Sequence, residues 1–405
     1  MKTRFSLLAL LAHCGLIALG QSTSISEFLF LDNSFDMQWN PNSVKVESES
    51  LLGSNVLNTQ MFSDVLFRTS FSGDSKQRFL DKSNKNTRFF GQTRSKAEYK
   101  YSNALGIYAK QNIMTGFNAN KDFSELLFFG NAPFAGKKVE TNQLRYIQSS
   151  SYTLGTSVRH LMSRKWNIKG EYGLSLVSSL REVTGSNLSA FTSFDGGELE
   201  LGINSLSVSE THTGAAGMGI DVNLYFDYHL DCLNTFSVSV LDLNFNYLFD
   251  KNYVYLDSNI KFEGISYNFI EDTFALDDNI DSTYNSIIDN GRSRKKFVSL
   301  PSRLTINWNR YVNAKNQVDV SISTIDLGLY GTFASVGWKH LFSDKLGLQS
   351  SLGYGDFTGV VWKERAELVV NEKLNICLGT RNLHSLFVPS LVSSYGLDAG
   401  VALQF

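Results

Sequence analysis

The residues able to do chemistry are few, and their spacing does not suit it. Six histidines (His13, His160, His212, His229, His340 and His384) and three cysteines (Cys14, Cys232 and Cys377) are scattered through 405 residues. None of them forms the His-x-x-x-His or Cys-x-x-Cys spacing of a metal site. No Gly-x-Ser-x-Gly elbow occurs. Gly217-x-Gly219 is half of a nucleotide fingerprint, but it opens an alternating run with no helical pattern behind it, so it reads as strand glycine. A lipase could gather Ser, His and Asn from separate strands, with His229 or His160 as base, yet nothing in the spacing selects them. Cys232 sits in the turn-like Asp231–Asn234 and Cys377 in a strand pattern. Two such cysteines make no disulfide framework and read as unpaired small residues. The expectation is a protein without enzymatic activity, cofactor or metal.

Charged residues instead alternate with apolar ones. From Gly219 one face carries Ile220, Val222, Leu224, Phe226, Tyr228 and Leu230, and the other Asp221, Asn223, Tyr225, Asp227 and His229. Leu241, Leu243, Phe245, Tyr247 and Phe249 oppose Asp242, Asn244 and Asn246. Trp166, Ile168, Tyr172, Leu174 and Leu176 oppose Asn167, Lys169 and Glu171. Leu304, Ile306 and Trp308 oppose Arg303, Thr305, Asn307 and Asn309. Strict period two means strands with one apolar face. Arg159, Lys169, Glu171, Asp221, Asp227, Asp242, Arg303, Asp319 and Arg381 fall on the polar face. They are the candidate lining of an interior, either a salt-bridged filling or a selective pore.

These strands run to ten residues or more, whereas sandwich strands usually run about five or six. Aromatics near the strand ends (Trp166, Tyr228, Tyr247, Phe249, Tyr354) resemble an interfacial girdle. No apolar run after Gln21 approaches the ~20 residues of a membrane helix. Four prolines, 31 glycines, 30 phenylalanines and 17 tyrosines, with 19% charged residues, suit sheet and turn. A net charge of −2 offers no nucleic-acid surface. The pattern predicts an all-β, transmembrane, antiparallel up-and-down barrel of about fourteen strands, with sixteen as the alternative and short helices in loops. Fifteen strand patterns are discernible, among them 44–57, 98–112 and 252–267.

Residues 1–20 carry Lys2 and Arg4, an apolar run from Phe5 to Leu19 and a small-residue site ending at Gly20, the three parts of a cleaved signal peptide. Residues 21–43 lack alternation and are expected to be a plug or periplasmic arm, with 44–405 as the barrel. Lys121–Gly136 predicts a short helix ended by Gly130. Residues 271–297 read as a long loop, with helical spacing at Ile280, Tyr284, Ile287 and Ile288. At the C-terminus Tyr395, Leu397, Ala399, Val401, Leu403 and Phe405 share a face. Tyr395, Leu403 and Phe405 are expected to form an outer-membrane assembly signal, read by the assembly machinery.

Phe123-Ser-Glu-Leu-Leu-Phe-Phe-Gly-Asn-Ala-Pro-Phe-Ala-Gly136 resembles a landmark of a Bacteroidota family of outer-membrane barrels, itself similar to the long-chain fatty-acid transporter barrels. Gly217–Asp221 with Tyr225, Ser239–Leu243, Leu300–Leu304, Arg381–Pro389 and Asn40-Pro41 add to the resemblance, in the same order along most of the chain. Phe245-Asn-Tyr247 departs from it, where Gly and Trp would follow the Asp-Leu. The resemblance implies fourteen strands and supplies no catalytic residues. Three functions stand open: passive transport of a small hydrophobic molecule, a scaffold or partner barrel of an envelope machine such as type IX secretion or gliding, and a barrel lipase. Outer-membrane lipid and envelope proteins are the expected partners.

Overall fold

The computed structural model describes residues 42–57, 73–82, 86–102, 104–130, 132–161, 163, 165–194, 198–210, 216–249, 252–263, 296–326, 331–355, 359–371, 373–382 and 394–405. The expected signal peptide, nearly all of the expected plug and the helical spacing at 280–288 lie outside them. The strands, in chain order, are β1 (Ser43–Ser54), β2 (Asn86–Lys100), β3 (Leu105–Asn120), β4 (Lys138–Thr141), β5 (Leu144–Leu161), β6 (Trp166–Thr192), β7 (Glu198–Glu210), β8 (Gly217–His229) and β9 (Asn234–Leu248). There follow β10 (Asn252–Glu263), β11 (Lys296–Val298), β12 (Arg303–Asn313), β13 (Asn316–Ile325), β14 (Gly331–Ser343), β15 (Leu346–Gly355), β16 (Gly359–Asn371), β17 (Leu374–Arg381) and β18 (Ser394–Gln404). Among the described residues, two α-helices, α1 (Gly73–Lys82) and α2 (Lys121–Phe129), and a 3-10 turn at Ala132–Phe134 lie between strands.

Every ladder is antiparallel, and β18 pairs with β1, from Ser43↔Gln404 to Gly53↔Ser394, so the sheet closes. Around the ring run β1, β2, β3, β5, β6, β8, β9, β12, β13, β14, β15, β16, β17 and β18, a fourteen-stranded up-and-down barrel. The other four segments extend these staves. β7 runs into β8 along the same side of β6, β10 continues β9 upward against β7, β11 precedes β12 against β9, and β4 pairs with the top of β6. The 27-residue β6 therefore rises past the barrel rim with β7 and β10 beside it. One expected strand is corrected. The pattern at 98–112 is two strands, because Ser102 turns the chain between Lys100 and Leu105.

The two ends differ for local reasons. At one end six tight turns join the strands, and each carries a short polar side chain that accepts N–H groups two and three residues on. Ser102, Ser163, Asp231, Ser343 and Asn371 all do this with backbone N–H groups, as in Leu233 N to Asp231 Oδ1 at 2.8 Å and Leu374 N to Asn371 Oδ1 at 2.9 Å, while Asn313 accepts from Lys315 N–H and from the Asn316 side-chain amide. The N–H groups of Leu233 and Asn234 and the Asn234 amide hold the Asp231 carboxyl below its ordinary value. Phe405 N–H donates to Asn42 O at this same end. The other end holds the long connections. There Asn120 Oδ1 caps α2 by accepting from Phe123 N–H, and Gly130, at φ 82°, ends it as expected. Short turns at one end and long loops at the other are the habit of membrane barrels.

Alternation sets the two faces. Leu154, Leu174, Ile220, Val336, Leu352 and Trp362 point outward and stay exposed, Leu174 at 75%. Inward neighbours such as Glu171, Asn223, Ser321 and Lys363 are buried. A soluble protein has the opposite arrangement, so the outer band is built for lipid. Trp166 and Tyr228 pack at 4.6 Å near the turn end, part of the expected girdle. An outward carboxylate breaks the band: Glu364, on β16, accepts from Trp362 Nε1 at 2.5 Å and from Ser350 Oγ at 2.6 Å.

The cost of a misplaced charge on this band depends on depth. Val336→Arg, at the middle of β14, is expected to destabilise the barrel by about 2–4 kcal/mol, and Phe405→Asp, at the turn end, by roughly 0–1 kcal/mol. Urea unfolding from liposomes measures both, and equal costs would contradict the placement.

Candidate functional site

The inner face of a closed sheet has no water-filled exterior, so its polar groups must find one another. Strand β9 shows how. Its inward residues are Thr235, Ser237, Ser239 and Leu241, and then Asp242, Asn244 and Asn246. The parity changes at a bulge opposite Asn223, where Asp242 takes φ 57°. Asp242 N–H donates to Asn223 Oδ1 at 2.7 Å. The sequence pattern placed Leu241 on the outer face with Leu243. It instead packs inward, fully buried, because the extra residue reverses the alternation behind it.

Asp242 belongs to a web of ion pairs. Lys110 Nζ, from β3, lies 2.6 Å from Asp221 Oδ1 and 2.9 Å from Asp242 Oδ1. Arg303 Nη2 lies 3.7 Å from Asp242 Oδ2, while its Nη1 donates to Glu49 Oε1 at 3.4 Å. Arg94 Nη2 meets the other oxygen of Glu49 at 3.3 Å. Gln92 Nε2 donates to Asn112 Oδ1 at 2.8 Å and to Asp242 Oδ2 at 3.4 Å. A second web joins Lys96 to Glu171 at 2.5 Å and to Glu98 at 3.2 Å, with Lys169 at 2.6 Å from Glu171. Ser157 Oγ and Asn223 Nδ2 complete those carboxylates. Charge-assisted bonds of this kind are what let carboxylates and ammonium groups share a dry interior.

The expected lining residues all reach this interior. Glu171, Asp221, Asp242 and Arg303 are brought together in the two webs, and Lys169 joins them from the turn side. Arg159 Nε donates to Asn167 Oδ1, and Asn167 Nδ2 to Asp227 Oδ2, both at 3.0 Å, in a separate chain nearer the turns. Asp319 accepts from Gln349 Nε2 at 3.3 Å, and its carboxylate lies over Gly337, where a Cβ would stand 2.8 Å from the carboxyl carbon. Arg381 sets its guanidinium 5.0 Å from the Phe333 ring. Tyr395 and Leu403 point outward on β18, and the exposed Phe405 follows its end, away from these groups. Cys232 is exposed in its turn, and Cys377 lies on β17, so the two do not pair.

Glu49, Arg94, Lys96, Glu98, Lys110, Lys339, Lys363, Arg365 and Glu367 also line the interior and went unnamed in the sequence. Lys339 and Arg365 meet Glu367 at 3.0 and 3.2 Å. Their signal was present, as charge on alternate positions in Arg94-Ser-Lys-Ala-Glu-Tyr-Lys100 and in Lys363-Glu-Arg-Ala-Glu367. Aromatic rings fill the remaining space. Tyr108 lies across Gly155 and Gly173, where a Cβ would stand 2.7 Å from its ring carbon or its oxygen, and Lys96 Nζ sits 5.3 Å from its centre.

Toward the loop end the lining turns apolar. Leu51, Phe90, Met114, Ile147, Phe333 and Val361, from six different staves, belong to one buried cluster across the lumen. Beside Val177 and Leu180 of that cluster, the ladder from β6 changes partner. Its pairing with β8 stops at Val177↔Gly217, and its pairing with β7 resumes at Arg181↔Glu210. Outside the wall, Leu52 and Phe89 pack with Phe79 of α1 and Phe129 of α2. Among the described residues no group of His, Cys, Asp and Glu is arranged for a metal. His229 Nδ1 faces Thr235 Oγ1 at 3.0 Å, and His160 is exposed on β5.

The fold and its interior define a transmembrane β-barrel with an ion-paired lumen beneath an apolar layer. No family model matches the sequence, and no curated protein matches it. Among solved structures, the barrel is similar to the P. putida toluene transporter TodX, at 10% identity over 96% of this chain and 97% of that one, with a TM-score of 0.42. It is similar to a Pseudomonas aeruginosa FadL homologue, at 8% identity over 89% of each chain, with a TM-score of 0.43. It is also similar to the translocator domain of the autotransporter NalP from Neisseria meningitidis, at 8% identity over 99% and 97%, with a TM-score of 0.36. These likenesses are remote, and they are shared by barrels of different function.

Removing one partner from such a web leaves the others charged and buried. Lys110→Ala strips the ammonium from both Asp221 and Asp242, and is expected to cost about 3–5 kcal/mol. Urea unfolding of the folded barrel in liposomes measures it; a loss under ~1 kcal/mol, the scale of exposed pairs, would mean the web is wet.

Proposed function

We propose that the chain is an outer-membrane barrel through which a small hydrophobic molecule passes without energy input. The observation that carries this reading is the apolar layer inside the barrel at the loop end. A lumen serving polar solutes has no use for Leu51, Phe90 and Met114 clustered inside it with Phe333 and Val361. The signal-like N-terminus and the resemblance to Bacteroidota outer-membrane barrels support the location. The filled lower lumen favours a second reading, a scaffold barrel in an envelope machine, since a scaffold needs no passage.

Uptake of a radiolabelled monoaromatic hydrocarbon by cells expressing the chain separates the two. Transport predicts uptake several-fold above cells carrying the empty vector, and its return toward background in Met114→Trp/Ile147→Trp while heat-modifiable migration shows a folded barrel. Equal uptake in all three strains would overturn transport in favour of the scaffold.

A further inference from the structure

We propose that Arg303 seals the lumen against ions by bridging opposite walls of the barrel. Strands β12 and β1 stand seven places apart in a ring of fourteen, so they face each other across its full width. Arg303 leaves β12 and reaches Glu49 of β1, 3.4 Å away and 254 residues distant in sequence. Its second terminal nitrogen lies beside Asp242 on the neighbouring strand β9, so one side chain ties the near wall to the far wall. From Glu49 the chain of contacts continues to Arg94, and from Asp242 to Lys110 and Asp221.

This chain of charges is dry. Arg303 is 1% exposed, Asp242 is fully buried, and Glu49, Arg94, Lys110 and Asp221 are each 5% exposed or less. On the other side of the bridge, Lys363, Arg381 and Asp398 are buried as well. An ion entering here would have to shed its water while parting charge-assisted bonds between groups that cannot themselves reach water. Fourteen strands enclose a width that side chains must fill to close it. The longest cationic side chain, set opposite a glutamate, spans that width. Shorter partners would leave it open. The barrel therefore holds a membrane potential although its strand count approaches that of open porins. The seal concerns ions and the lower lumen. The proposed passage of an apolar solute concerns the layer above it, and either can hold without the other.

The test is conductance of the purified full chain in planar lipid bilayers bathed in potassium chloride. Wild type is expected to give no single-channel steps. The double variant Glu49→Ser/Arg303→Ser removes both long side chains together, so no lone charge is left from this pair, and is expected to raise ion flux roughly tenfold or more with resolved steps. Ser321→Ala, elsewhere on the inner wall, is expected to stay silent. Heat-modifiable migration identifies the folded fraction before each recording. If the first double variant does not fold, Asp242→Ser/Arg303→Ser opens the same bridge from its other contact and is read the same way. Steady conductance by wild type, or silence from a folded double variant, would overturn the proposal.

Discussion

Inside a bilayer no water is available to an unpaired backbone amide, and each such group left unmet costs several kcal/mol. A sheet meets that condition only when its first and last strands pair. Here β1 and β18 do so over eleven consecutive partners. Closure then sets the rest of the structure. It gives every strand one face toward lipid and one toward a shared interior. It gathers the turns at one end and the connections at the other. It also places residues that are hundreds apart in sequence within reach across a common lumen.

That interior is where the chemistry of the chain is concentrated, although none of it is catalytic in form. Inward charges cannot point away from one another in a closed tube, so carboxylates and cations of β1, β2, β3, β6, β8, β9 and β12 meet in pairs and threes. Where the inward positions become apolar, near the loop end, the same geometry makes a greasy layer instead. The boundary between the two is set by side-chain type alone, since the backbone continues through it unchanged on most staves.

Much of this was legible because period two is local. The inward Asp221 and Asp227 of β8 and the outward Leu174 of β6 follow from their neighbours in sequence. Other features leave little local trace. A bulge of one residue at Asp242 reverses the faces of β9, and its sign is a positive φ on an aspartate, visible only in the folded backbone. The turn at Ser102 is so short that β2 and β3 read as one pattern in the sequence, which hides the alternating charges from Arg94 to Lys100. The meeting of Glu49 with Arg303 depends on how many staves separate them around the ring, so no window of sequence contains it.

The carboxylate of Glu364 bears on the order in which the wall is built. Its two donors, Trp362 Nε1 and Ser350 Oγ, come from its own strand and from the strand just before it. A bare carboxylate crossing hydrocarbon is opposed by desolvation, but one already held by its hairpin neighbours is much less so. β15 and β16 gain by zipping together before they enter the membrane, as one hairpin whose polar group is already satisfied. A strand inserted singly at this point would carry the charge alone.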